Sequence, residues 1–316
     1  MKKRLGLIMT MLVVITLALT GCGGKKTPLK MATGGTTGTY YAYSGTVSQV
    51  LSQKIDNLSF DVQSTGASKA NIYLVADKEA DIAIVQNDVM YYAFNGTDLF
   101  AGDKVTGFSA MAGVYAEVCQ IVAKGGITSV EDLRGKRVSV GDIGSGVEFN
   151  ARQILEAYGI TFADIVVNNL SFGDSATAFK DDKIDAFFCV AGAPTTAIVE
   201  LATTNQIKLL EIGDAYVAKL VEKYPFYTKY DIPAGTYKGV DTASQTVAVV
   251  ASYIVKDDLN KDLVYDMTKA LFENAEEIAI GHLKGAELDP AYSVSSISIP
   301  MHPGAEKYYK EIGIIK

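Results

Sequence analysis

From Leu29 onward, short apolar runs alternate with segments whose apolar residues recur at helical spacing. Leu29–Ala32 reads as a strand and 34–38 as a turn; Tyr43, Val47, Val50, Leu51 and Ile55 then mark one face of a helix. Phe60–Gln63 predicts a second strand, 67–76 a second helix, 81–85 a third strand and 87–94 a third helix. Such a β-α-β-α-β-α rhythm predicts a mostly parallel sheet covered by helices. A second series starts near Arg137, with a strand at 137–140 and a loop at 141–146. Val147, Ala151, Ile154, Leu155 and Tyr158 give its first helical stripe. Strands at 165–167 and 185–190 follow, with helices near 174–180 and 195–203 and a further strand at 208–212.

Between these units lie two long apolar segments. Phe108–Ala123 is strand-like but longer than an ordinary strand, and 246–255 has the same character. Both are read as crossings that carry the chain into a second lobe near 120 and back near 245. Lobe one is then 29–120 plus 246–316, completed by an amphipathic helix over 259–280, and lobe two is 121–245. Two lobes joined by paired strands can hinge about a cleft. Two independent tandem domains would need a single polar linker, which the sequence lacks.

The extreme N-terminus has a different pattern. Lys2, Lys3 and Arg4 precede an apolar stretch that ends at Leu19-Thr20-Gly21-Cys22, so 1–21 is expected to be a secretory signal peptide. Its ending resembles a bacterial lipobox, with Cys22 lipidated and 22–28 serving as a tether that holds the domain to a membrane face. The chain's formal charge is −7, and the cationic leader makes the mature part more acidic still, which argues against a nucleic acid partner. The other two cysteines, Cys119 and Cys189, sit in apolar runs, either bridged in an oxidising compartment or as separate buried thiols.

Two Gly-rich loops stand where a strand hands over to a helix: Gly34-Gly35-Thr36-Thr37-Gly38-Thr39-Tyr40-Tyr41 and Gly144-Ser145-Gly146-Val147-Glu148. Glycines let backbone N–H groups approach a ligand, and the helix start adds free amides and partial positive charge. One loop per lobe forms a clamp for a small anion or zwitterion; simple turns with Thr39 or Ser145 as caps are the alternative. Neither loop has a dinucleotide or P-loop pattern. Ser64, Gln86, Asn87, Gly192 and Ala193 fall at comparable strand ends, and Glu117 and Tyr115 on the first crossing could offer an ammonium contact and an aromatic wall. The two histidines, His282 and His302, lie outside this cleft, and no zinc spacing or nucleophile elbow appears. A non-enzymatic role without metal or cofactor is therefore expected.

With those residues in view, the sequence resembles the TAXI family of solute receptors, which serve TRAP transporters. The likeness rests on 34–41, Gln86-Asn87-Asp88, Gly144-Ser145-Gly146 with Glu148, Pro233-Ala234-Gly235-Thr236-Tyr237 and His302-Pro303-Gly304-Ala305. It implies an α/β, two-lobed type II periplasmic-binding-protein fold with hinge strands and a central cleft. It further implies an extracytoplasmic receptor that delivers a glutamate-like amino acid or dicarboxylate to a TRAP permease; a lipid-anchored monomer is expected. Thr36, Gly38, Tyr40, Gln86, Ser145 and Gly146 are the contacts it carries over, with Tyr41 as the alternative to Tyr40; Thr37 belongs to the same loop. Arg134, Arg137 and Arg152 are not placed in the cleft, so helix-terminal amides would have to bind an anion.

Overall fold

Residues 28–316 are described by the structure, a computed structural model. The expected leader, Cys22 and the tether up to residue 27 lie outside the described residues. The first series is β1 (Leu29–Ala32), α1 (Thr39–Lys54), β2 (Phe60–Gln63), α2 (Ser68–Ala76), β3 (Ile82–Gln86) and α3 (Asn87–Asn95). The 16-residue strand β4 (Phe108–Ala123) follows. The second series is β5 (Arg137–Ser139), α4 (Gly146–Ala157), β6 (Val166–Asn168), α5 (Phe172–Lys180), β7 (Ala186–Ala191) and α6 (Thr196–Thr204). Then come β8 (Lys208–Leu209), α7 (Asp214–Lys223), β9 (Thr228–Ile232) and the 13-residue β10 (Ser244–Lys256). Four helices close the chain: α8 (Lys261–Glu273), α9 (Ala275–Gly281), α10 (Pro290–Ser296) and α11 (Pro303–Glu311).

The strands share one hydrogen-bonded sheet in the order β2-β1-β3-β10-β4-β7-β5-β6, with β8 on β4 and β9 on β10. The flanking strands β2-β1-β3 and β7-β5-β6 pair in parallel, whereas β4 and β10 run antiparallel to each other and to their neighbours. Residues 108–118 of β4 lie against β10, and residues 118–123 lie against β7. In β10, residues 251–255 pair with β3 and residues 244–248 with β9. Both long strands thus pass from one half of the sheet into the other, and 16 residues of strand span about 50 Å.

Alternation along each strand feeds a core on each face. Ile82 and Ile84 pack with Tyr43, Val47 and Leu51 of α1 on one side, while Ala83 and Val85 meet Ile72, Val75 and Val89 on the other. In the other half, Val138 and Phe188 pack on Ile154 and Leu155, while Phe187 and Val122 face Phe179 and Ile198. This is a two-lobed α/β architecture in which each half-sheet is sandwiched by helices.

Two expectations, a helix and a strand, need correction, and the cysteine alternatives resolve to separate thiols. The helix expected over 259–280 is broken at Asn274, whose backbone leaves helical angles (φ −115°, ψ 26°). Its side-chain amide donates to the Ala270 carbonyl at 2.8 Å, a local bond that competes with helix continuation. The strand expected at 208–212 is confined to Lys208–Leu209. Cys119 and Cys189 are both buried and both free thiols.

Candidate functional site

The starts of α1, α2 and α4 face one another across the junction of the two halves and enclose a cavity of about 50 Å³. A single water needs about 10–15 Å³, so the space has room for only a few water-sized groups. From the first half, Gly34, Gly35, Gly38, Thr39 and Tyr40 line it through the β1–α1 turn, Ala67 and Ser68 through the start of α2, Gln86 at the end of β3, and Glu117 on β4. From the second half come Gly146 and Val147 at the start of α4, Phe172 on α5, and Val190 and Ala191 at the end of β7.

Local chemistry explains why these groups meet. Gly38 caps α1 without a side-chain oxygen, so no side chain occupies the first-turn amides at that helix start. Gly141 and Gly144 hold left-handed angles (φ +90° and +74°) that bring the chain round to α4. The Glu148 carboxylate accepts from Gly144 N at 2.7 Å, and Ser145 Oγ accepts from Glu148 N at 3.3 Å. Ala67 sits at φ +63°, ψ −148°, a conformation that strains a non-glycine residue by about 1–3 kcal/mol.

Bonds between the halves join the two sides of the cavity. Thr39 Oγ1 donates to the Gly192 carbonyl at 2.9 Å, and Ala197 N donates to the Thr37 carbonyl at 3.2 Å. Asn150 Nδ2 donates to Asp88 Oδ2 at 3.1 Å, and Gln153 Nε2 to the Tyr92 hydroxyl at 3.4 Å. Gly146 lies so close to Gln86 that a Cβ there would run into the Gln86 side-chain oxygen.

The electrostatics are uneven. The starts of three helices bring partial positive charge toward the cavity. Against it stands Glu117, 1% exposed, with Oε2 lacking a hydrogen-bond partner. Gln86 Oε1 and the Tyr40 hydroxyl are also buried without partners. Burial pushes the Glu117 carboxyl up to about 8; the Asp88 charge adds to this, while Tyr40 and Gln86 pull the other way. Asp88, behind the cavity, is pushed up to about 6 by burial, against the hydrogen bonds from Val89 N and Asn150.

Of the expected contacts, Gly38, Tyr40, Gln86, Glu117 and Gly146 line the cavity. The others are placed elsewhere, each for a physical reason. Thr36 is exposed on the outside of its loop, and half-buried Thr37 offers its carbonyl to Ala197. Tyr41 lies about 100° round the helix from Tyr40 and faces away. Ser64 is exposed and braces the loop from behind, donating to the Gly34 carbonyl at 2.9 Å. Asn87 is buried and engaged at both ends, accepting from Val250 N at 3.0 Å and donating to the Ser296 carbonyl at 3.4 Å. Ser145 is the cap of α4. The Gly192 carbonyl is held between the Thr39 and Thr195 hydroxyls, and Ala193 is half-buried beside it, joined to Pro194 by a cis peptide. Tyr115 is no wall of the cavity; it is in the core, edge-on to Tyr43 at 4.9 Å.

Arg134, Arg137 and Arg152 are engaged with Asp164, Asp185 and Glu148, away from the cavity. His302 is buried and caps α11, accepting from Gly304 N; His282 accepts from Lys284 N. Sequence reasoning missed Ser68 and Phe172 as lining residues. Ser68 carried a signal, since it opens a helix just after the Ser64-Thr65-Gly66 strand end. Phe172 carried none, because only the tertiary approach of α5 to Gly38 brings it in.

Solved structures with this arrangement exist. The alkanesulfonate-binding protein SsuA from Xanthomonas axonopodis pv. citri, bound to MOPS, is similar over 90% of this chain and 83% of its own, at 15% identity and a TM-score of 0.53. The periplasmic aliphatic sulphonate binding protein SsuA from Escherichia coli matches over 90% and 82%, at 14% identity and a TM-score of 0.50. A putative L-cystine ABC transporter protein from Listeria monocytogenes matches over 83% and 98%, at 14% identity and a TM-score of 0.51. At these identities the likeness is one of fold: the two-lobed, type II periplasmic solute-binding architecture. Residues 31–313, nearly all of the described chain, match the model of the NMT1-like family, and the chain belongs to that family.

Proposed function

We propose that this protein is an extracytoplasmic solute receptor that encloses a small amino acid or organic acid between its lobes and delivers it to a membrane permease of the TRAP type. The observation that carries the reading is the cavity itself: both halves contribute to it, and its lining includes Glu117, Gln86 and Tyr40, each with a buried polar atom that lacks a partner. The lobes are taken as 29–120 with 246–316 and as 121–245, moving about β4 and β10. A lipid on Cys22 would keep the receptor at the membrane once the leader is removed. The lining residues include one carboxyl and no histidine, cysteine or lysine, which suits capture better than turnover.

A second reading keeps the fold and changes the partner: a receptor for an ABC importer or a sensor. The likeness to the Listeria ABC transporter protein favours it. Association of the receptor with a TRAP permease, tested by reconstituting uptake in vesicles, separates the two.

Native mass spectrometry of the purified protein is the first test. An adduct in the range of an amino acid or short dicarboxylate, lost on denaturation, is the expected result. An empty protein that also shows no thermal shift with any organic acid or amino acid would remove the receptor reading.

A further inference from the structure

The Pro233-Ala234-Gly235-Thr236-Tyr237 stretch singled out in the sequence takes no part in the cavity wall. It forms the turn after β9. Thr236 Oγ1 donates to the Pro233 carbonyl at 2.7 Å, and Gly235, at φ +77°, donates its N–H to the Val240 carbonyl at 2.8 Å. The turn sends the Tyr237 ring into the apolar core of the second half, among Cys189, Ile198 and Val240.

There the Tyr237 hydroxyl accepts from Thr195 N at 2.8 Å and donates to Gln120 Oε1. Gln120 Nε2 donates in turn to Thr195 Oγ1 at 2.9 Å, which closes a ring of three residues. Gln120 belongs to the part of β4 that pairs with β7, so the ring moves with the second half. All three residues are buried, and every polar group in the ring is matched. Apolar side chains of the same shape would fill this core without that demand. What the ring adds is direction.

It fixes the middle of the segment 192–197, and both ends of that segment reach the first half. The Gly192 carbonyl, which accepts from Thr195 Oγ1 at 2.9 Å, also accepts from Thr39 Oγ1 at 2.9 Å. Ala197 N donates to the Thr37 carbonyl at 3.2 Å. The approach at Gly192 leaves no room for a side chain: a Cβ there would lie 2.8 Å from Lys284 Cε and 2.9 Å from Thr39 Cγ2. Lys284 is held in place by Glu287 at 2.5 Å, and the second oxygen of Glu287 accepts from Ala116 N at 2.8 Å. The seam is therefore braced from both sides.

We infer that Tyr237 is a positioning residue for solute capture, an inference that rests on the receptor reading. It lines no part of the cavity. Through Gln120 and Thr195 it aims the Gly192 carbonyl at Thr39, and that bond joins the lobes beside the solute. Tyr237→Phe leaves Thr195 N and Gln120 Oε1 without their partner, so the segment loses its aim while the phenyl ring still fills the core.

A double-mutant cycle on the whole protein tests this. Thermal shift against the twenty protein amino acids and short mono- and dicarboxylic acids selects the compound with the largest effect on the parent. That compound is titrated by calorimetry into the parent, Tyr237→Phe, Thr39→Val and the double variant. Each single change should weaken binding about threefold to tenfold, the worth of one hydrogen bond. The double variant should be within twofold of the weaker single variant, because both changes act on the same bond. Thr195→Ser, which keeps the hydroxyl, should bind within twofold of the parent. Thr195→Val, which keeps only the amide, should repeat the coupled loss and replaces Tyr237→Phe if that variant does not fold. Three results would overturn the inference and leave the receptor reading in place. They are a Tyr237→Phe affinity within twofold of the parent, losses that multiply in the double variant as a purely structural role requires, and no measurable binding by Thr39→Val, which would mean that Thr39 holds the solute itself. A parent that responds to no compound removes the receptor reading and this inference with it.

Discussion

At the scale of single residues, the closed state depends on atoms that are absent. Gly146 approaches Gln86 so closely that any side chain at 146 meets the amide before the halves finish closing. Gly146→Val should therefore weaken solute binding at least tenfold, about 1.4 kcal/mol or more, because the variant can shut only by displacing Gln86. Position 146 is the first residue of α4, where a side chain is tolerated, so the melting temperature should stay within a few degrees of the parent. Calorimetry and thermal denaturation on one preparation check both halves of the claim; a large loss of stability would mean that the residue supports the fold and not the closure. Gly146 and Gln86 could be singled out in the sequence because they stand at a helix start and a strand end, the places where ligands lie in open α/β sheets. Asn87, next to Gln86, gave the same signal and has a different task. Its side chain satisfies the Val250 amide on β10, a long-range bond that no spacing in the sequence encodes.

At the scale of elements, the C-terminal helices brace the long strands. The Ser293 hydroxyl on α10 accepts from Gly113 N on β4 at 2.8 Å, and the Tyr309 hydroxyl on α11 donates to the Met111 carbonyl at 3.1 Å. Gly113 has to be a glycine here, because a Cβ would collide with Ser296. Register shifts in the β4–β10 ladder fall in the same stretch, and such irregularities bend a strand locally. The helix α10 is only seven residues long, so its caps matter: Asp289 accepts from Tyr292 N at 2.7 Å, and Pro290 occupies the first turn. Asp289→Ala is expected to destabilise the protein by about 1 kcal/mol, measured by urea denaturation. Most of the elements were readable from periodicity because their buried faces are continuous, as in β3 and β7, where every position is buried. The weakly patterned ones were not. β9 is largely exposed and carries Lys229 and Asp231, and α7 buries only Val217 and Leu220, so neither shows a clear apolar stripe. The break at Asn274 was hidden because apolar spacing continues across it.

At the scale of the whole molecule, a carboxyl buried in the cavity wall makes stability depend on pH. Glu117 titrates near 8 in the folded protein against about 4.3 in an unfolded chain, so the fold favours its protonated form. Its contribution is intact below the unfolded value and is lost as pH rises through 8. Asp88 follows the same rule with its loss complete above about 6. His282 and His302, pushed down by burial, act in the opposite direction, but an unfolded imidazole with a value of about 6.5 is already about three-quarters neutral at pH 7, so their effect over pH 7 to 8 is small. The exposed, lowered carboxylates Asp182 and Asp214 are ionised in both states there. Buried Cys119 and Cys189 add a loss of the same sign only as their unfolded value of about 8.5 is approached. Between pH 7 and 8 Glu117 therefore dominates, and the empty protein should lose about 1 kcal/mol of stability over that interval. Urea denaturation at pH 7, 7.5 and 8 measures the slope. Glu117→Gln should flatten it and raise stability at pH 8. An equal slope in the parent and the Gln variant would show that the carboxyl is not held protonated and that another group sets the pH dependence.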